Sequence, residues 1–292
     1  MHTSISAPEL AVVGEDARLT RAHLGSLLDV TMSSITFVGG GNMGAALVGG
    51  LLKSGWAPAL ITVAELSATR RAELRHIFPE VNVVEVAESC ESAVIAVKPP
   101  AAVDACESAV AAGARRIVSI VAGISIATLQ QASGNSVAVI RAMPNTPALV
   151  GKGACAMCFP PSCSGSDIEW AESVLRSVGT VVRVSESQMD AVTAISGSGP
   201  AYVFLLAECL ISEAIDQGLS AEVADGLVRQ LLVGSAALLS ASSETPASLR
   251  EHVTSPNGTT SAAIEALEKA GFRQAITAAV SGAVRRSREM GV

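Results

Sequence analysis

Aromatic residues are scarce in this chain: they make up 3% of it, whereas hydrophobic residues as a class make up 49%. A core with few large rings must consist mainly of Ala, Val, Leu and Ile, with glycines where backbones approach closely. Such a composition is typical of helices packed over a parallel sheet. Excess positive charge is also missing, since the formal net charge is −7. Neither nucleic acid nor an anionic membrane is therefore an expected partner.

Long apolar runs are absent as well. No such run reaches about 18 residues, the length that spans a bilayer, so we expect no membrane helix. A basic segment followed by an apolar core is missing near the N-terminus, which argues against a secretion signal. The six cysteines are spread along the chain and do not form a disulfide framework. These features predict a cytoplasmic protein in a reducing environment.

Histidine is rare, with four residues that lie far apart in the sequence. Cys155, Cys158 and Cys163 have a spacing similar to that of a zinc knuckle, but no fourth ligand is near and the first two fall in a predicted strand. We therefore expect no metal site. The same scarcity gives no support to a Ser–His hydrolase, which needs a histidine beside its nucleophile.

The most informative stretch is 35–44, where a short apolar run stops at three glycines and a helical pattern follows at once. Gly39, Gly41 and Gly44 have the G-x-G-x-x-G spacing of a turn that binds a dinucleotide pyrophosphate at a helix N-terminus. Glu65, 21 residues after Gly44, ends the next strand-like run and suits a ribose hydroxyl. The alternative is a purely structural glycine turn, but the strand–turn–helix context favours the nucleotide.

Strand-like runs alternate with helical patterns up to about residue 185. This alternation predicts an α/β fold with a doubly wound, Rossmann-type parallel sheet, whose ligand crevice lies beyond the carboxyl ends of the strands. Lys98, Gly123 and the segment 143–147 follow such ends and share one rim. The predicted strands are 35–38, 60–64, 81–85, 92–97, 116–121, 136–141, 154–159 and 180–184.

From about residue 200 onward the pattern is almost wholly helical, with helices predicted at 200–217, 220–240, 246–253, 260–270 and 272–288. The first of them is apolar on most sides. A helix this apolar needs cover all round, from its own domain or from another subunit. We therefore expect an oligomer.

Two further segments carry polar groups that suit a small ligand. Glu186, Asp190 and Thr193 are spaced to share one face if their segment is helical. Residues 254–260 form a hydroxyl-rich turn before a helix start, where exposed N–H groups suit a carboxylate. An N-cap and turn with nothing bound explains that turn equally well.

Taken together, these motifs resemble those of pyrroline-5-carboxylate reductase, the enzyme of the last step in proline synthesis. The similarity runs in the right order from residue 34 to about residue 289, and its two long C-terminal motifs are far more specific than the glycine loop. The matching segments are 37–44, 96–99, 121–124, 141–147, 190–202, 253–260 and 271–273.

The resemblance implies hydride transfer from NADPH or NADH to the carbon of a cyclic C=N bond in a small imino acid. It implies a dinucleotide-binding domain at 32–185 and an all-helical dimerisation and substrate-binding domain at 186–292, with the active site shared across a homodimer. We expect residues 1–31 to be a poorly ordered extension. Within this extension, residues 16–30 suit one amphipathic helix. Met32 lies just before the first strand, so it is an alternative start of the natural chain.

Carried over residue by residue, the resemblance and the glycine-loop spacing assign the site. Thr193 is the expected catalytic residue and faces the substrate ring. Glu186 is expected at the same ring, and Ser255, Gly258, Thr259 and Thr260 are expected to hold its carboxylate. The residues expected to bind the cofactor are Gly39, Gly40, Gly41, Asn42, Met43, Gly44, Glu65, Ala96, Val97, Lys98, Pro99, Ala122, Gly123 and Asn145.

The chemistry of a C=N bond fits these residue types. Such a bond accepts hydride once its nitrogen is protonated, so the site needs alignment and a donor at nitrogen more than a strong acid. Thr193 can supply a hydroxyl, and Glu186 can orient it or favour a positive nitrogen. The alternative for Thr193 is a helix-interior hydroxyl that bonds its own backbone. Lys98 is better explained as a strand-end residue whose backbone passes the nicotinamide than as a catalytic lysine.

Three features depart from the family pattern. Asn257 and Gly258 replace two glycines, which the turn tolerates because asparagine adopts left-handed φ readily. The segment 83–91 is shortened and lacks an asparagine often found near the adenosine ribose. Glu65 replaces a small residue often seen in NADP-preferring members, so the choice of cofactor stays open.

Two other functions remain as alternatives. A β-hydroxyacid dehydrogenase opens with a similar glycine motif, but the stretch 196–202 lacks the catalytic lysine of that family. A non-enzymatic NAD(P)H-binding redox sensor would bind the cofactor without turning it over.

Overall fold

The computed structural model describes residues 34–290, so the predicted extension 1–31 and its helix at 16–30 lie outside the described residues. All eight predicted strands are present. They are β1 Ile35–Val38, β2 Ile61–Ala64, β3 Asn82–Val84, β4 Ser92–Ile95, β5 Arg116–Ser119, β6 Ala138–Met143, β7 Gly153–Cys158 and β8 Gly179–Arg183.

Helices connect most of these strands, and a helical segment follows the last of them. The helices among the strands are α1 Asn42–Lys53, α2 Ala68–Ile77, α3 Ala102–Ala111, α4 Ile126–Ala132 and α5 Gly165–Arg176. The later helices are α6 Met189–Val192, α7 Gly199–Asp216, α8 Ala221–Ala241, α9 Pro246–His252, α10 Thr259–Lys269 and α11 Phe272–Met290. Helix α4, which is seven residues long, was not predicted from the sequence pattern.

The eight strands form one sheet in the order β3-β2-β1-β4-β5-β6-β7-β8. The first six pair in parallel, and the chain changes direction across the sheet between β1 and β4, which is where doubly wound folds bind ligands. The prediction of a parallel sheet is wrong for the last two strands, because β7 runs antiparallel to β6. Strand β8 pairs in parallel with β7, so it also runs opposite to the first six strands. The link between β6 and β7 is a 3-10 turn at Thr146–Val150, which is too short for a parallel crossover.

The central strands are buried on both faces, which explains why each appears in the sequence as a continuous apolar run. All four residues of β4 are buried, and so are Ile35, Thr36 and Phe37 of β1. As the composition predicted, the core consists mainly of aliphatic side chains, with Trp170 and Phe37 among the largest that are fully buried. Burial on both faces fixes the strand register, and the register in turn places the strand ends.

Helix starts fall into two kinds that matter for function. Ser67 caps α2 by accepting a hydrogen bond from the Arg70 N–H, and Ser125 caps α4 by accepting one from the Thr128 N–H. The N-cap residues of α1 and α10 are Gly41 and Gly258, which offer no side-chain acceptor. The first N–H groups of these two helices therefore stay available for a ligand.

The helices after residue 198 leave much apolar surface uncovered. On α7, Phe204 is 62% exposed and Leu205 59%, and on α8, Leu231 is 53% exposed. By length and composition alone, Glu186–Asp216 and Ala221–Ala241 could each cross a membrane, contrary to the expectation that no segment would. The same exposed faces also suit burial against a second subunit.

Replacing Gly179 tests how closely β7 and β8 approach each other. A Cβ at position 179 would lie 2.0 Å from the Gly153 carbonyl oxygen and 2.5 Å from the Gly153 nitrogen. Because both are backbone atoms, Gly179→Ala is expected to lower the free energy of unfolding by about 1–3 kcal/mol. The denaturant midpoint, measured at one fixed protein concentration, checks this.

The matched control is Gly165→Ala at the start of α5, where a Cβ would meet nothing within 4 Å. That variant is expected to change stability by less than about 0.5 kcal/mol. Equal stability of the two variants would contradict the close approach of the strands.

Candidate functional site

The glycine turn after β1 brings three backbone segments into direct contact. Gly39 has φ +103°, and a Cβ there would lie 2.5 Å from the Ala96 carbonyl oxygen. A Cβ at Gly44 would lie 2.6 Å from the Gly39 oxygen. At Gly41, by contrast, a Cβ would meet nothing within 4 Å. The turn is therefore closed on the side of the sheet and open at the start of α1.

The open side of the turn fits a pyrophosphate. Asn42, Met43 and Gly44 form the first turn of α1, where N–H groups have no acceptor within the helix. The macrodipole of α1 adds positive potential at the same place. A backbone cradle that a side chain at Gly41 would fill is thus present, and the predicted cofactor residues fit a dinucleotide.

Glu65 directly follows β2, and its side chain points back at the glycine turn. One of its carboxylate oxygens accepts a hydrogen bond from the Gly40 N–H at 2.9 Å, and the other accepts one from the Ser67 N–H at 2.9 Å. Beside it lies a cavity of about 310 Å³ that is also lined by Asp104 and Ser108 of α3. These two polar residues were not predicted, although their spacing of four on a helix that follows a strand end was a usable signal.

Both arginines of α2 that could neutralise a phosphate are already engaged. Arg70 donates to the Gly40 carbonyl oxygen at 2.8 Å and to Glu73 at 2.8 Å. Arg71 donates to the Glu65 carbonyl oxygen at 2.8 Å and to a Glu85 carboxylate oxygen at 2.9 Å. The two side chains therefore hold the β2–α2 turn in shape.

The ends of β4, β5 and β6 form one rim, as predicted, because these strands are parallel neighbours. Lys98 begins a 3-10 turn, and its exposed side chain makes no hydrogen bond or ion pair to residues 34–290, which agrees with a strand-end role. The predicted cofactor residues on this rim are Ala96, Val97, Lys98, Pro99, Ala122, Gly123 and Asn145.

Asn145 joins this rim to the helical part. Its side chain is buried, its Oδ1 accepts from the Ala154 N–H at 2.8 Å, and its Nδ2 donates to the Ser196 carbonyl oxygen at 3.0 Å. Ser196 lies in a π-helical turn, Thr193–Gly197, between α6 and α7. Asn145 therefore positions the turn that carries Thr193.

The expectation that Glu186, Asp190 and Thr193 share one face depended on a regular α-helix, and their segment is not one. Glu186 lies in a 3-10 turn, Asp190 in the four-residue α6 and Thr193 in the π-helical turn, so the 3.6-residue spacing does not apply. Each side chain has a different partner. Thr193 donates to the Met189 carbonyl oxygen at 2.8 Å, which is the intrahelical bond of the alternative interpretation.

Glu186 acts at the start of α4. Its Oε1 accepts from the Ile126 N–H at 2.7 Å and lies 3.2 Å from Nη1 of Arg141. Arg141 on β6 is 7% exposed, so this pair satisfies a buried cation. Sequence reasoning gave Arg141 no role. A charged residue inside an apolar strand was the available signal, because such a charge needs a partner.

The segment 254–260 is exposed and local in its contacts. Asn257 has φ +60°, which confirms that asparagine takes the left-handed position of this turn. Gly258 donates through its N–H to the Ser255 carbonyl oxygen at 3.1 Å. Among the described residues, and apart from the bonds within α10, the hydrogen bonds of this segment reach no further than Arg250 and Ala262. The fold of one chain thus shows no bond between Ser255–Thr260 and the rim.

Cys155 and Cys158 of the cysteine cluster are buried. Burial raises the pKa of the Cys155 thiol to about 12 and that of Cys158 to about 11, so both stay protonated near neutral pH. Within residues 34–290 no three His, Cys, Asp or Glu side chains are grouped to hold a metal ion.

Two regions of the chain match known family models. Residues 186–290 match pyrroline-5-carboxylate reductase dimerisation, and residues 34–123 match NADP oxidoreductase, coenzyme F420-dependent. A pyrroline-5-carboxylate reductase of Synechocystis sp. is 41% identical over 261 residues, which cover 87% of this chain and 97% of that protein. One of Pseudomonas aeruginosa is 40% identical over 263 residues, which cover 88% and 96%.

Solved structures are similar over the same extent. A pyrroline-5-carboxylate reductase from Coxiella burnetii has a TM-score of 0.82 at 34% identity and covers 89% of this chain and 99% of that one. The pyrroline carboxylate reductase of Plasmodium falciparum, solved with NADP bound, has a TM-score of 0.79 at 29% identity and covers 90% and 99%.

The fold and the glycine turn define an NAD(P)H-dependent oxidoreductase in which a Rossmann-type sheet precedes a helical segment. The chain belongs to the pyrroline-5-carboxylate reductase family, the enzymes of the last step in proline biosynthesis. The expected family, fold class and cofactor type are confirmed, and the family is favoured over the dehydrogenase and redox-sensor alternatives. Homo-oligomerisation and a small-molecule substrate follow from the same matches.

A valine at position 41 tests the cofactor cradle. The backbone there (φ −63°, ψ −175°) suits any residue, so Gly41→Val is expected to fold normally. Its side chain fills the space before the α1 N–H groups, so binding of NADPH and NADH is expected to fall below detection. Cofactor fluorescence measures the affinity, and circular dichroism checks the fold.

Gly165→Val is the matched control, since it also adds a side chain in open space at a helix start. It is expected to bind both cofactors as the wild type does. Undiminished affinity in Gly41→Val would overturn the assignment of the turn.

Proposed function

We propose that this chain transfers a hydride from NAD(P)H to the C=N carbon of 1-pyrroline-5-carboxylate and so forms L-proline. The observation that carries the proposal is the physical link between two predicted parts of the site. Asn145, at the rim where the cofactor is expected, holds the carbonyl of Ser196 in the turn that carries Thr193. A cofactor-oxidation assay with the cyclic imine tests it, since a redox sensor would give binding without turnover.

The residues of the turn after β1 and of the strand ends are proposed to hold the cofactor. Its pyrophosphate fits the α1 N–H groups beside Gly41, and its adenosine fits the cavity at Glu65. When bound, NAD(P)H supplies the hydride. Backbone at Ala96–Pro99 and Ala122–Gly123 lines the rim, and the small side chains of Ala96 and Ala122 leave room for a flat ring.

Thr193 is proposed as the residue that meets the ring nitrogen. Its hydroxyl hydrogen is used by the Met189 carbonyl, so its oxygen faces a ligand as an acceptor. An acceptor at that position favours the protonated imine, which carries an N–H and is the form that accepts hydride. Glu186 is 38% exposed and adds negative charge, while its bonds to Ile126 and Arg141 fix its orientation.

The substrate carboxylate is proposed to bind the segment 254–260 of a second chain. This segment ends at the uncapped start of α10, where Thr259 and Thr260 offer N–H and hydroxyl donors. Support comes from the exposed apolar faces of α7 and α8 and from the match of residues 186–290 to a dimerisation family. The Ser255 and Gly258 backbone shapes the same turn.

The domain boundary at 185/186 and the cytoplasmic location are proposals of the same kind. The first rests on the change from strand to helix after Arg183, and the second on the reducing environment that six free cysteines suit. The absence of membrane insertion belongs with them, because a partner subunit can cover the apolar helices.

Glu65 is expected to make NADH a usable cofactor. A carboxylate at this strand end accepts hydrogen bonds from a ribose 2′-OH and repels a 2′-phosphate, and Arg70 and Arg71 are occupied elsewhere. The kcat/KM for NADPH should therefore exceed that for NADH by less than about a hundredfold, near 3 kcal/mol. Parallel assays with both cofactors measure the ratio.

Glu65→Gln removes the charge and should shift that ratio toward NADPH by about tenfold, or 1.4 kcal/mol. Glu80→Gln, an exposed change outside the cavity, is the control and should leave the ratio unchanged. A larger preference for NADPH in the wild type would show that the arginines rearrange and dominate.

Mixed dimers test whether two chains build each site. Thr193→Val removes the ring contact, and Gly258→Trp blocks the carboxylate turn, since a Cβ at 258 would lie 2.5 Å from Ser255 Oγ. Each homodimer should be nearly inactive. In a mixed dimer with shared sites, one site carries both changes and the other carries none. Random pairing makes about half the dimers mixed, so about a quarter of wild-type activity should return on co-expression.

The control mixes two differently tagged Thr193→Val chains, which should recover nothing, and recovered tags show that subunits exchange. If each site lies within one chain, every site in the mixed dimer carries one change. Mixing would then restore no activity, and the shared site would be wrong.

A further inference from the structure

The last turn of α11 bonds the segment that carries Thr193. Ser287 is 1% exposed, and its hydroxyl donates to Oδ1 of Asp190 at 2.7 Å. Nε of Arg288 lies 3.5 Å from Oδ2 of the same carboxylate. Asp190 lies in α6, three residues before Thr193. The end of α11 is therefore tied to the short helix that leads into the π-helical turn.

The same turn of α11 also rests on the rim of the sheet. Gly123 follows β5 with φ +80°, and a Cβ there would lie 3.1 Å from the Met290 carbonyl oxygen and 3.2 Å from the Met290 Cβ. Helix α11 is continuous over 19 residues. One rigid element therefore contacts both the rim after β5 and the segment before Thr193.

The contact of Ser287 with Asp190 is polar and directional, and its hydroxyl is buried while Asp190 is 29% exposed. Arg286 and Glu289 form an ion pair that is 69% and 52% exposed, which contributes little to structure. The Ser287 hydroxyl is 1% exposed. Its hydrogen bond to Asp190 weakens steeply if the angle at the hydrogen changes, so the acceptor must keep its orientation. The Ser287–Asp190 bond thus sets the rotation of α6, and through it the place of the Thr193 oxygen.

We propose that Ser287 is a positioning residue for imine reduction. It acts through Asp190 to hold the Thr193 turn at a fixed distance from the strand end at Gly123. This inference rests on the proposed role of Thr193. It goes beyond that role because it assigns a function to the end of α11, which is part of neither the glycine turn after β1 nor the segment 254–260.

Kinetics separate positioning from stability. Ser287→Ala is expected to lower kcat for the cyclic imine by about 5- to 50-fold, because small displacements of a reacting group are costly. The dissociation constants of NADPH and NADH should stay within about twofold, since the glycine turn is untouched. Asp190→Asn keeps an acceptor for Ser287 and should lose less. Arg286→Ala, on the same turn, is the control and should behave as wild type.

A double variant makes the test specific. If Ser287 acts through Thr193, adding Ser287→Ala to Thr193→Val should lower kcat no further. Full additivity of the two losses would overturn the proposal. A greater loss in Asp190→Asn than in Ser287→Ala would also overturn it, because the ion pair with Arg288 would then carry the effect.

Amide hydrogen exchange gives a readout that does not need turnover. In Ser287→Ala, peptides covering 189–198 should exchange at least about tenfold faster, while those covering 39–47 should not change. Unchanged exchange at 189–198 contradicts the positioning role. Failure of the wild type to reduce the imine contradicts the proposed reaction instead, so the two ideas fail separately.

Discussion

Direct contact between backbone segments organises this molecule. A Cβ at Gly39 or Gly44 would lie within 2.6 Å of a backbone oxygen, so the end of β1, the start of α1 and the chain after β4 are fixed against one another. Because these contacts close the turn on the side of the sheet, its open side lies at Gly41, in front of the free N–H groups of α1. Sheet register then carries this arrangement outward, since Val38 pairs with Ile95 and Ile95 with Ser119. The whole rim is positioned from one rigid turn.

The apolar helices impose the second constraint. Burying an exposed Leu or Phe contributes about 1.5–3 kcal/mol, and α7 and α8 expose many such side chains, among them Phe204 and Leu231. Assembly therefore stabilises the fold itself, and stability depends on protein concentration. The hydroxyl-rich turn that precedes α10 belongs to this oligomerising part. The turn proposed to bind the substrate carboxylate thus lies within the stretch that matches the dimerisation family.

Sequence reasoning succeeded where one physical rule dominates. All eight strands were found, and the central ones were clearest because burial on both faces gives continuous apolar runs. The spacing of Glu65 predicted its place at the turn. It failed where partners are distant or helix geometry changes. The direction of β7 depends on a short link, and the partners of Glu186 and Arg141 lie on separate elements. The switch from 3-10 to α to π geometry before Gly197 broke the assumed spacing from Glu186 to Thr193.

The contact of Met290 with Gly123 joins positions far apart in the chain, and this has a consequence for folding. Closing so long a loop costs more entropy than pairing successive βα units, so contacts of this kind form late. The glycine turn is complete once β1, α1 and β4 have met, whereas the turn at Thr193 waits for α11. The part of the fold that forms the glycine turn therefore needs only local contacts, whereas the part that carries Thr193 needs a contact across most of the chain.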